Sequence, residues 1–463
     1  MDFSAANVSL WNSVLQVGII AIMILLANMI RKRVPFIKKS MIPTAVLAGF
    51  IMLLLKLTGV LKIDIEFMEA ITYHFIAIGF IALSLRVPEK NESRKDHIGL
   101  RSGAAIVSTY LVQAFVGLAV SIGLSLTVKP GMFKAAGVLL CLGFGQGPGQ
   151  ANNTGSTYET SWGFTGGRSF GLSLAAAGYI CACVVGVIIL DILNKRKKIE
   201  RVDHDEISGS VTVDTFQSDK EIPISESIDR FSIQIALVIA VYLVTYLFTK
   251  FITGMLATYA PGVGNLINGI LWGFNFIVGS AFAVLTRTIL AKLKNSKIIK
   301  HQYQNNYLLS RLSGFAFDVM IVAGIGSIEI EDIKGLWLPF VLMVVAGAIV
   351  TYFQLVFICK RIYKDYYYEG LISMYGMLTG TISSGILLLR ELDPNMETPA
   401  SNNLVLGSSF AILFGAPMLV LIGLAPQSDM MLGIVLLCVV LYYFVTLFVA
   451  IKNMPPAKET STK

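Results

Sequence analysis

Two short stretches of the 463-residue chain combine glycine with uncharged polar side chains inside otherwise apolar sequence. They are the segments 145–159 and 371–394. Glycine-rich turns let backbone N–H groups come close to a small anion, and side-chain amides and hydroxyls add hydrogen bonds. Freed carbonyls and hydroxyl oxygens in the same turns can coordinate an alkali cation without a formal charge. These residue types therefore favour the non-covalent binding of a small anion and a cation.

The candidate binding residues are the glycines and polar side chains at the tips of the two segments. Any one of them could instead serve helix packing or capping, so the hypothesis concerns the set. The candidates for the anion are Gly145, Gln146, Gly147, Gly149, Gln150, Asn152 and Asn153 in the first segment, and Gly380, Thr381, Ser383 and Ser384 in the second. The candidates for a cation are Thr379, Thr381 and Asp318.

Charged residues near or within apolar sequence form a second group of candidates, because burying one in a membrane costs at least about 2.5–3.5 kcal/mol. Asp318 lies in the middle of an apolar run and could bind an ammonium group or a cation, or form a structural pair. Arg390 could contact a carboxylate through two hydrogen bonds, or pair with Glu391. Arg168 is expected to be a surface anchor, and Glu159 is expected to order the first segment.

Apolar runs of about 20 residues surround these segments, and each is long enough to cross a bilayer. Hydrophobic residues make up 55% of the chain and charged residues 14%, against about 45–50% and about 25% in soluble domains. This composition excludes a soluble enzyme and predicts an all-α polytopic membrane protein with about 11 transmembrane helices. The predicted spans are 11–30, 40–60, 68–86, 102–128, 165–190, 231–253, 264–290, 307–328, 336–359, 402–424 and 429–451.

Basic residues cluster in alternate loops between these runs. The clusters lie in 31–39, 86–101, 191–230, 287–300 and 360–364. Cytoplasmic loops of membrane proteins carry an excess of Lys and Arg, so the amino terminus is expected outside and the carboxyl terminus in the cytoplasm. The net charge of +8 is therefore explained by orientation in a lipid bilayer, and no nucleic acid partner is expected.

The two polar segments are too short and interrupted to span, and they predict re-entrant hairpins near 133–160 and 369–393. Irregular backbone at membrane depth survives only where it lines a cavity or is buried in protein. Each hairpin precedes the last span of a set of five, and the charge rule gives the two sets opposite orientations. The sequence thus predicts an inverted-topology repeat. The expected domains are a first repeat over 1–190, a charged cytoplasmic linker over 191–229, a second repeat over 230–425, and an extra helix with a tail over 426–463.

These residues resemble the bacterial glutamate:Na⁺ symporter family over about residues 10–425. The likeness rests on the start of the second span (Ile42, Pro43 and Gly49), the glycine-rich first hairpin, and the run from Glu159 to Thr165. There are departures from the family pattern. The first hairpin reads Gly-Gln-Gly-Pro-Gly-Gln over 145–150, the second lacks a double-glycine tip, and Asp318, the longer central loop and the eleventh span are additional.

The resemblance implies sodium-coupled symport of L-glutamate, or a close amino-acid anion, into a bacterial cell across its plasma membrane. It implies sodium as the coupling ion with no other cofactor, and a homodimer of scaffold and transport domains. The hairpins are expected in the moving part of an alternating-access, elevator-type transporter.

Three other functions are weaker readings of the sequence. A membrane-embedded enzyme would need converging catalytic groups, and the chain has no His-Glu-x-x-His motif. A channel would usually assemble repeated subunits around one pore, whereas this chain carries its own repeat. A symporter of a citrate-like di- or tricarboxylate, or of another organic anion, is the main alternative, although it would want two or more arginines and only Arg168 and Arg390 are candidates.

Overall fold

The structure is a computed structural model of the chain, and within the parts that it describes the chain is all-helical, with no β-strand. This confirms the predicted all-α class. The described residues are 2–4, 6–34, 37, 42–87, 97–197, 230–259, 268, 271–273, 275–299, 301–389, 391–393 and 398–452. The candidate residue Arg390 lies outside them.

The helices follow the predicted runs in chain order. The first half contains α1 (Val8–Arg33), α2 (Thr44–Leu57), α3 (Ile65–Leu85), α4 (Ile98–Leu126), α5 (Lys134–Gln146), α6 (Pro148–Trp162) and α7 (Gly167–Lys197). The second half contains α8 (Arg230–Tyr259), α9 (Asn275–Asn295), α10 (Asn306–Gly326), α11 (Trp337–Ile362), α12 (Tyr367–Thr379), α13 (Ile382–Leu389) and α14 (Ala400–Leu424). Helix α15 (Asp429–Ile451) follows them.

Each half has the same order of elements among the described residues. Four helices come first, then a hairpin of two short helices, then one long helix. The first hairpin is formed by α5 and α6, and the second by α12 and α13. The order of elements therefore agrees with the predicted repeat, while the opposite orientation of the two halves remains a prediction.

Ten helices of the described chain are long and apolar enough to cross a membrane, against eleven predicted spans. The exception is α2, which has 14 residues and a length of about 21 Å, short of the roughly 30 Å hydrocarbon core. Pro43 caps its start, and Gly59, with a φ of 74°, follows its end. Proline and a left-handed glycine are the residues that delimit helices.

One other predicted boundary differs from the structure. Helix α7 continues to Lys197, so the first seven residues of the predicted linker, 191–197, are helical. The remainder of that linker, 198–229, lies outside the described residues. The predicted seventh span begins at 264. Residues 268 and 271–273 are helical and α9 covers Asn275–Asn295, while the other residues over 264–274 lie outside the described chain, so the start of this span stays a prediction.

The chain forms two compact units. Unit 1 comprises Met1–Thr72, Asp96–Asp203 and Ile321–Lys463, and unit 2 comprises Tyr73–Lys95 and His204–Met320. Unit 1 therefore contains both hairpins, together with the long helices that follow them.

Helix α4 is buried around most of its circumference, and its buried residues are mainly apolar or small. It therefore lies at the centre of unit 1. A methyl group on its Gly117 would overlap the backbone of Gly137 in α5, and one on Gly137 would overlap the backbone of Gly117. On another face of α4, a methyl group on Gly103 would lie 3.0 Å from the carbonyl oxygen of Gly407 in α14. Backbones at this distance exclude any side chain, so these glycines set the separation of α4 from its neighbours.

The first hairpin is wedged between α4 and α7. Its second arm, α6, approaches α7 so closely that a methyl group on Gly155 would lie 2.6 Å from the carbonyl oxygen of Gly167. At the open end of the hairpin, Phe133 stacks on Phe164 with ring centroids 4.8 Å apart. These contacts hold both arms, and they position the break between them.

The predicted extra helix, α15, packs along α4 and α14 and so belongs to unit 1. Arg101 of α4 donates a hydrogen bond to the carbonyl oxygen of Ala450 at 3.0 Å. Near the other end of α15, Lys134 at the start of α5 forms an ion pair with Asp429. The extra helix is thus tied to the helix that supports the first hairpin.

Unit 2 has an apolar core between α3, α8, α9 and α10. The core residues are Ile81, Ala82 and Leu85 of α3, Val238 and Val241 of α8, Ala283 of α9, and Leu309 and Leu312 of α10. A polar contact accompanies the core, because the Tyr242 hydroxyl lies 2.8 Å from His74 Nδ1 and accepts a hydrogen bond from Asn275.

Candidate binding site at two hairpin tips

The first hairpin breaks at Gly147. Its first arm, α5, ends in a stretch of π-helix over Cys141–Gln146, a form that often marks functional sites. Gly147 then adopts a φ of 95°, and Pro148 begins α6. Glycine tolerates that φ, and proline is preorganised for a first helical turn. The carbonyl end of α5 and the N–H end of α6 consequently meet at one residue.

The second hairpin breaks at Gly380 and Thr381. Helix α12 ends at Thr379, and α13 begins at Ile382 and has 8 residues. The arms approach closely, because a methyl group on Gly385 would overlap the carbonyl oxygen of Ser373. The result is a second site where the carbonyl end of one short helix adjoins the N–H end of another.

The two breaks lie next to each other. A methyl group built on Gly147 would lie 3.9 Å from Thr381 Cγ2 and 3.9 Å from the hydroxyl oxygen of Tyr179 in α7. A methyl group on Gly380 would lie 3.2 Å from Tyr179 Cδ1. The buried side chain of Tyr179 therefore contacts both tips, with its ring against one and its hydroxyl near the other.

Helix α7 also supports the carbonyl ends of both first arms. A methyl group on its Gly178 would overlap the carbonyl oxygen of Thr379 and would lie 3.3 Å from Phe144 Cδ2. From the α4 side, Gln113 donates hydrogen bonds from Nε2 to Thr351 Oγ1 at 2.8 Å and to the Leu378 carbonyl at 2.9 Å. The ends of α5 and α12 are thus held between α4 and α7.

Several buried side-chain oxygens at the tips lack a hydrogen-bond partner among the described residues. A buried oxygen without a partner costs about 1–3 kcal/mol, so a concentration of them indicates that another group binds there. These atoms are Gln150 Oε1, Asn152 Oδ1 and Thr154 Oγ1 of α6, Thr381 Oγ1 and Ser384 Oγ of the second hairpin, and Gln113 Oε1 of α4. All are uncharged, so the set is suited to hydrogen-bonding and ion coordination rather than covalent chemistry.

The structure places most of the candidate residues in these two tips. Gly145, Gln146, Gly147, Gly149, Gln150, Asn152 and Asn153 occupy the last turn of α5, the break, and the first turns of α6. Gly380, Thr381, Ser383 and Ser384 occupy the second break and the first turn of α13. Within the set, Asn152 Nδ2 donates to Asn153 Oδ1 at 3.4 Å, and Gln146 is half-buried.

Two candidate cation ligands have different surroundings. Thr379 is fully buried at the end of α12, and its hydroxyl donates to the carbonyl oxygen of Tyr375 at 2.8 Å. A hydroxyl can still accept or coordinate while it donates. Asp318 lies on α10 in unit 2, where its side chain is exposed. It therefore belongs to a different compact unit from the hairpin tips.

The sequence interpretation missed three residues at the tips. Gln113 carried a detectable signal, since it is a strongly polar residue in the middle of an apolar run. Gly178 and Tyr179 carried none, because a small residue and an aromatic residue in a transmembrane helix usually serve packing. Their contacts with two distant hairpins depend on tertiary structure alone.

The expectation that Arg168 is a surface anchor was wrong. Its side chain is buried, and Nη2 lies 2.9 Å from Glu329 Oε2 in an ion pair. A buried guanidinium is stabilised by a carboxylate partner. Glu329, which supplies this carboxylate, lies just after the end of α10 and belongs to unit 1. Glu159 accepts hydrogen bonds from the backbone N–H groups of Gly166 and Arg168, so it orders the link from α6 to α7, while its predicted role within the first segment stays a prediction.

Comparison with known proteins identifies one matching family. The family model described as sodium/glutamate symporter matches residues 11–377, which include the whole first hairpin and nearly all of the first arm of the second. A comparison with curated proteins gave no match. The match covers most of the chain and agrees with the resemblance drawn from its motifs. The chain is therefore a multi-pass membrane protein that belongs to the sodium/glutamate symporter family, a family of sodium-coupled transporters.

Proposed function

We propose that this protein takes up L-glutamate, or a closely related amino-acid anion, by symport with sodium. The observation that carries the proposal is the meeting of the two hairpin breaks at Gly147 and Thr381, surrounded by buried oxygens that have no partner among the described residues. The family supports the same substrate and ion.

The polarity of the short helices suits both solutes. Helix N-termini carry unpaired N–H groups and a partial positive charge, and helix C-termini carry the opposite. At each tip, an N-terminus (α6 or α13) adjoins a C-terminus (α5 or α12). The substrate carboxylates bind at the N-termini with Gln150, Asn152, Asn153, Thr381, Ser383 and Ser384, and sodium binds among carbonyl and hydroxyl oxygens.

A citrate-like substrate is less well supported. Its additional carboxylates would favour two or more arginines, and one of the two candidates, Arg168, is already paired with Glu329. Arg390 remains a proposed contact for a single carboxylate. Because Arg168 already pairs with Glu329, an amino-acid anion is favoured over a tricarboxylate as the substrate.

The transport cycle is proposed to be of the elevator type. Both hairpins belong to unit 1, which supports a mechanism in which this unit carries the substrate. We further propose that the protein is a homodimer in the bacterial inner membrane, with its amino terminus outside and its carboxyl terminus in the cytoplasm. The clusters of Lys and Arg in alternate loops support this orientation.

Uptake into proteoliposomes tests the function. Purified protein should accumulate radiolabelled L-glutamate when sodium is high outside, more strongly than aspartate and much more strongly than citrate. If the cycle moves net positive charge, an inside-negative potential should increase accumulation, because 100 mV contributes about 2.3 kcal/mol per charge. Full uptake driven by a proton gradient in sodium-free medium, or a preference for citrate, would contradict the proposal.

A further inference from the structure

One side chain outside both hairpins is oriented as an ion ligand would be. Gln113 of α4 uses both hydrogens of Nε2, which donate to Thr351 Oγ1 and to the Leu378 carbonyl. A carbonyl can only accept, so the nitrogen must face Leu378. The amide oxygen Oε1 consequently points the other way, and this orientation follows from the hydrogen bonds themselves.

The amide oxygen points toward the end of the first arm of the first hairpin. A methyl group on Gly145 would lie 2.9 Å from Gln113 Oε1, and the glutamine is 0% exposed. Oε1 has no hydrogen-bond partner within the described chain. An amide oxygen in this position costs about 1–3 kcal/mol unless a donor or a cation satisfies it.

Two helices, α5 and α12, end at the position that this amide oxygen faces. The last turn of α5 contains Phe144 and Gly145, and the last turn of α12 contains Leu378 and Thr379. Both ends contact Gly178 of α7, where a methyl group would overlap the Thr379 carbonyl and approach Phe144. Terminal carbonyls have no partner within their helix, and each C-terminus carries roughly half a negative charge.

We propose that one coupling sodium ion binds between the carboxyl-terminal ends of α5 and α12, with Gln113 Oε1 as a side-chain ligand from α4. The proposal rests on the sodium-coupled function proposed above and adds a ligand from a continuous helix. Sodium is a hard cation that accepts neutral oxygens, whereas the anionic substrate binds at the opposite ends of the breaks, on α6 and α13.

Such a ligand would couple the ion to both hairpins. Gln113 holds the Leu378 carbonyl of the second hairpin with its nitrogen and faces the first hairpin with its oxygen. An ion on that oxygen and on carbonyls of both arms would favour the arrangement in which the tips meet. Sodium binding would then prepare the substrate site, which is the energetic basis of symport.

Sodium titration of the purified, substrate-free protein tests this assignment. A ligand that binds only the folded state raises the melting temperature, so the Tm as a function of sodium concentration gives an apparent Kd. Gln113→Met removes the oxygen at nearly constant volume and should raise the sodium Kd at least tenfold. Thr351→Val is the matched control, because it removes a hydrogen-bond partner of the same amide and leaves Oε1 in place; its sodium Kd should change less than threefold.

A second variant and a second ligand keep the test decisive. Gln113→Asn keeps an amide but withdraws its oxygen by one methylene group, so its sodium Kd should rise at least threefold, even if Gln113→Met cannot be purified. Glutamate affinity at saturating sodium is measured in parallel. An unchanged sodium Kd in Gln113→Met or in Gln113→Asn, or a loss of glutamate affinity alone, would overturn the assignment, the last because it would place the substrate ammonium at Gln113.

The wild-type protein separates this inference from the proposed function. If the wild type shows neither sodium-dependent stabilisation nor sodium-driven uptake, the proposed function fails. If the wild type shows both and Gln113→Met titrates normally, only the sodium ligand is wrong.

Discussion

Gly147 and Thr381 lie opposite each other, although 234 positions separate them in the chain, and a methyl group on the glycine would be 3.9 Å from Thr381 Cγ2. Each is at the break of its own hairpin. Their proximity turns two interrupted segments into a single candidate site, and it makes each tip sensitive to changes in the other.

Gly147→Ala tests the geometry of the first break. Space is available for the methyl group, so the cost comes from the φ of 95°, which for an L residue is about 1–2 kcal/mol. We expect glutamate uptake to fall roughly 5- to 30-fold. Gly131→Ala is the control, because Gly131 has a φ of 88° and no neighbouring atom within 4 Å, in a loop away from the tips. Equal losses in the two variants would show that the break has no special role.

Gly178→Ala tests the contact of α7 with the second hairpin. The added methyl group would overlap the Thr379 carbonyl, so the hairpin must shift, at a cost of about 1–3 kcal/mol. We expect a lower Tm and at least a tenfold loss of sodium-driven uptake. Gly123→Ala, in α4 with nothing within 4 Å, should leave both unchanged. Normal uptake by Gly178→Ala would mean that the hairpin is not held at this point.

The Arg168–Glu329 ion pair should stabilise unit 1. Arg168→Met should lower the Tm by about 2 °C, because it leaves Glu329 without its cation, but the carboxylate is partly exposed and solvent reduces the effect. Glu329→Gln should lower the Tm more, because it leaves the guanidinium of Arg168, whose side chain is only 7% exposed, without its anion. The double variant should be no less stable than Glu329→Gln. Strictly additive losses in this thermal-stability cycle would show that the two side chains are not coupled.

Asp318→Asn decides whether that carboxylate takes part in transport. The side chain is exposed on α10, so its contribution to binding a cation should be nearer 1 kcal/mol than the larger value of a buried charge. We expect apparent affinities for sodium and glutamate close to those of the wild type, with normal expression, because Asp318 belongs to unit 2 and the hairpin tips belong to unit 1. A loss of about fivefold, which corresponds to about 1 kcal/mol, would return Asp318 to the site. Unchanged affinities would make Asp318 a structural residue and remove it from the site.

Cysteine labelling tests the predicted opposite orientation of the hairpins. Asn153→Cys in the first hairpin should react with an impermeant maleimide added from outside the cell, and Ser383→Cys in the second should react from inside. Since Asn153 is buried, its labelling should be slow and should respond to sodium and glutamate. Reaction of both cysteines from the same side under all conditions would reject the inverted arrangement.

Much of the fold was determined locally and could be predicted. Ten of the eleven predicted runs correspond to helices long enough to span a membrane, because a bilayer requires long apolar helices whatever their partners are. Both hairpins could also be located, since Gly147, Pro148 and Gly380 interrupt apolar sequence by their own backbone preferences. The exception was α2, where Pro43 and Gly59 bracket a helix too short for the predicted span.

Tertiary structure alone decided which residues meet. The proximity of Gly147 to Thr381, the position of Tyr179 against both tips, and the orientation of Gln113 toward Gly145 each depend on contacts between residues far apart in the chain. Arg168 illustrates the same limit, because its burial depends on Glu329, 161 residues away. Hydropathy and helix propensity indicate whether a segment is helical and whether it is stable in lipid or in water. A binding site is formed by the packing of several segments, and the sequence of any one segment does not determine that packing.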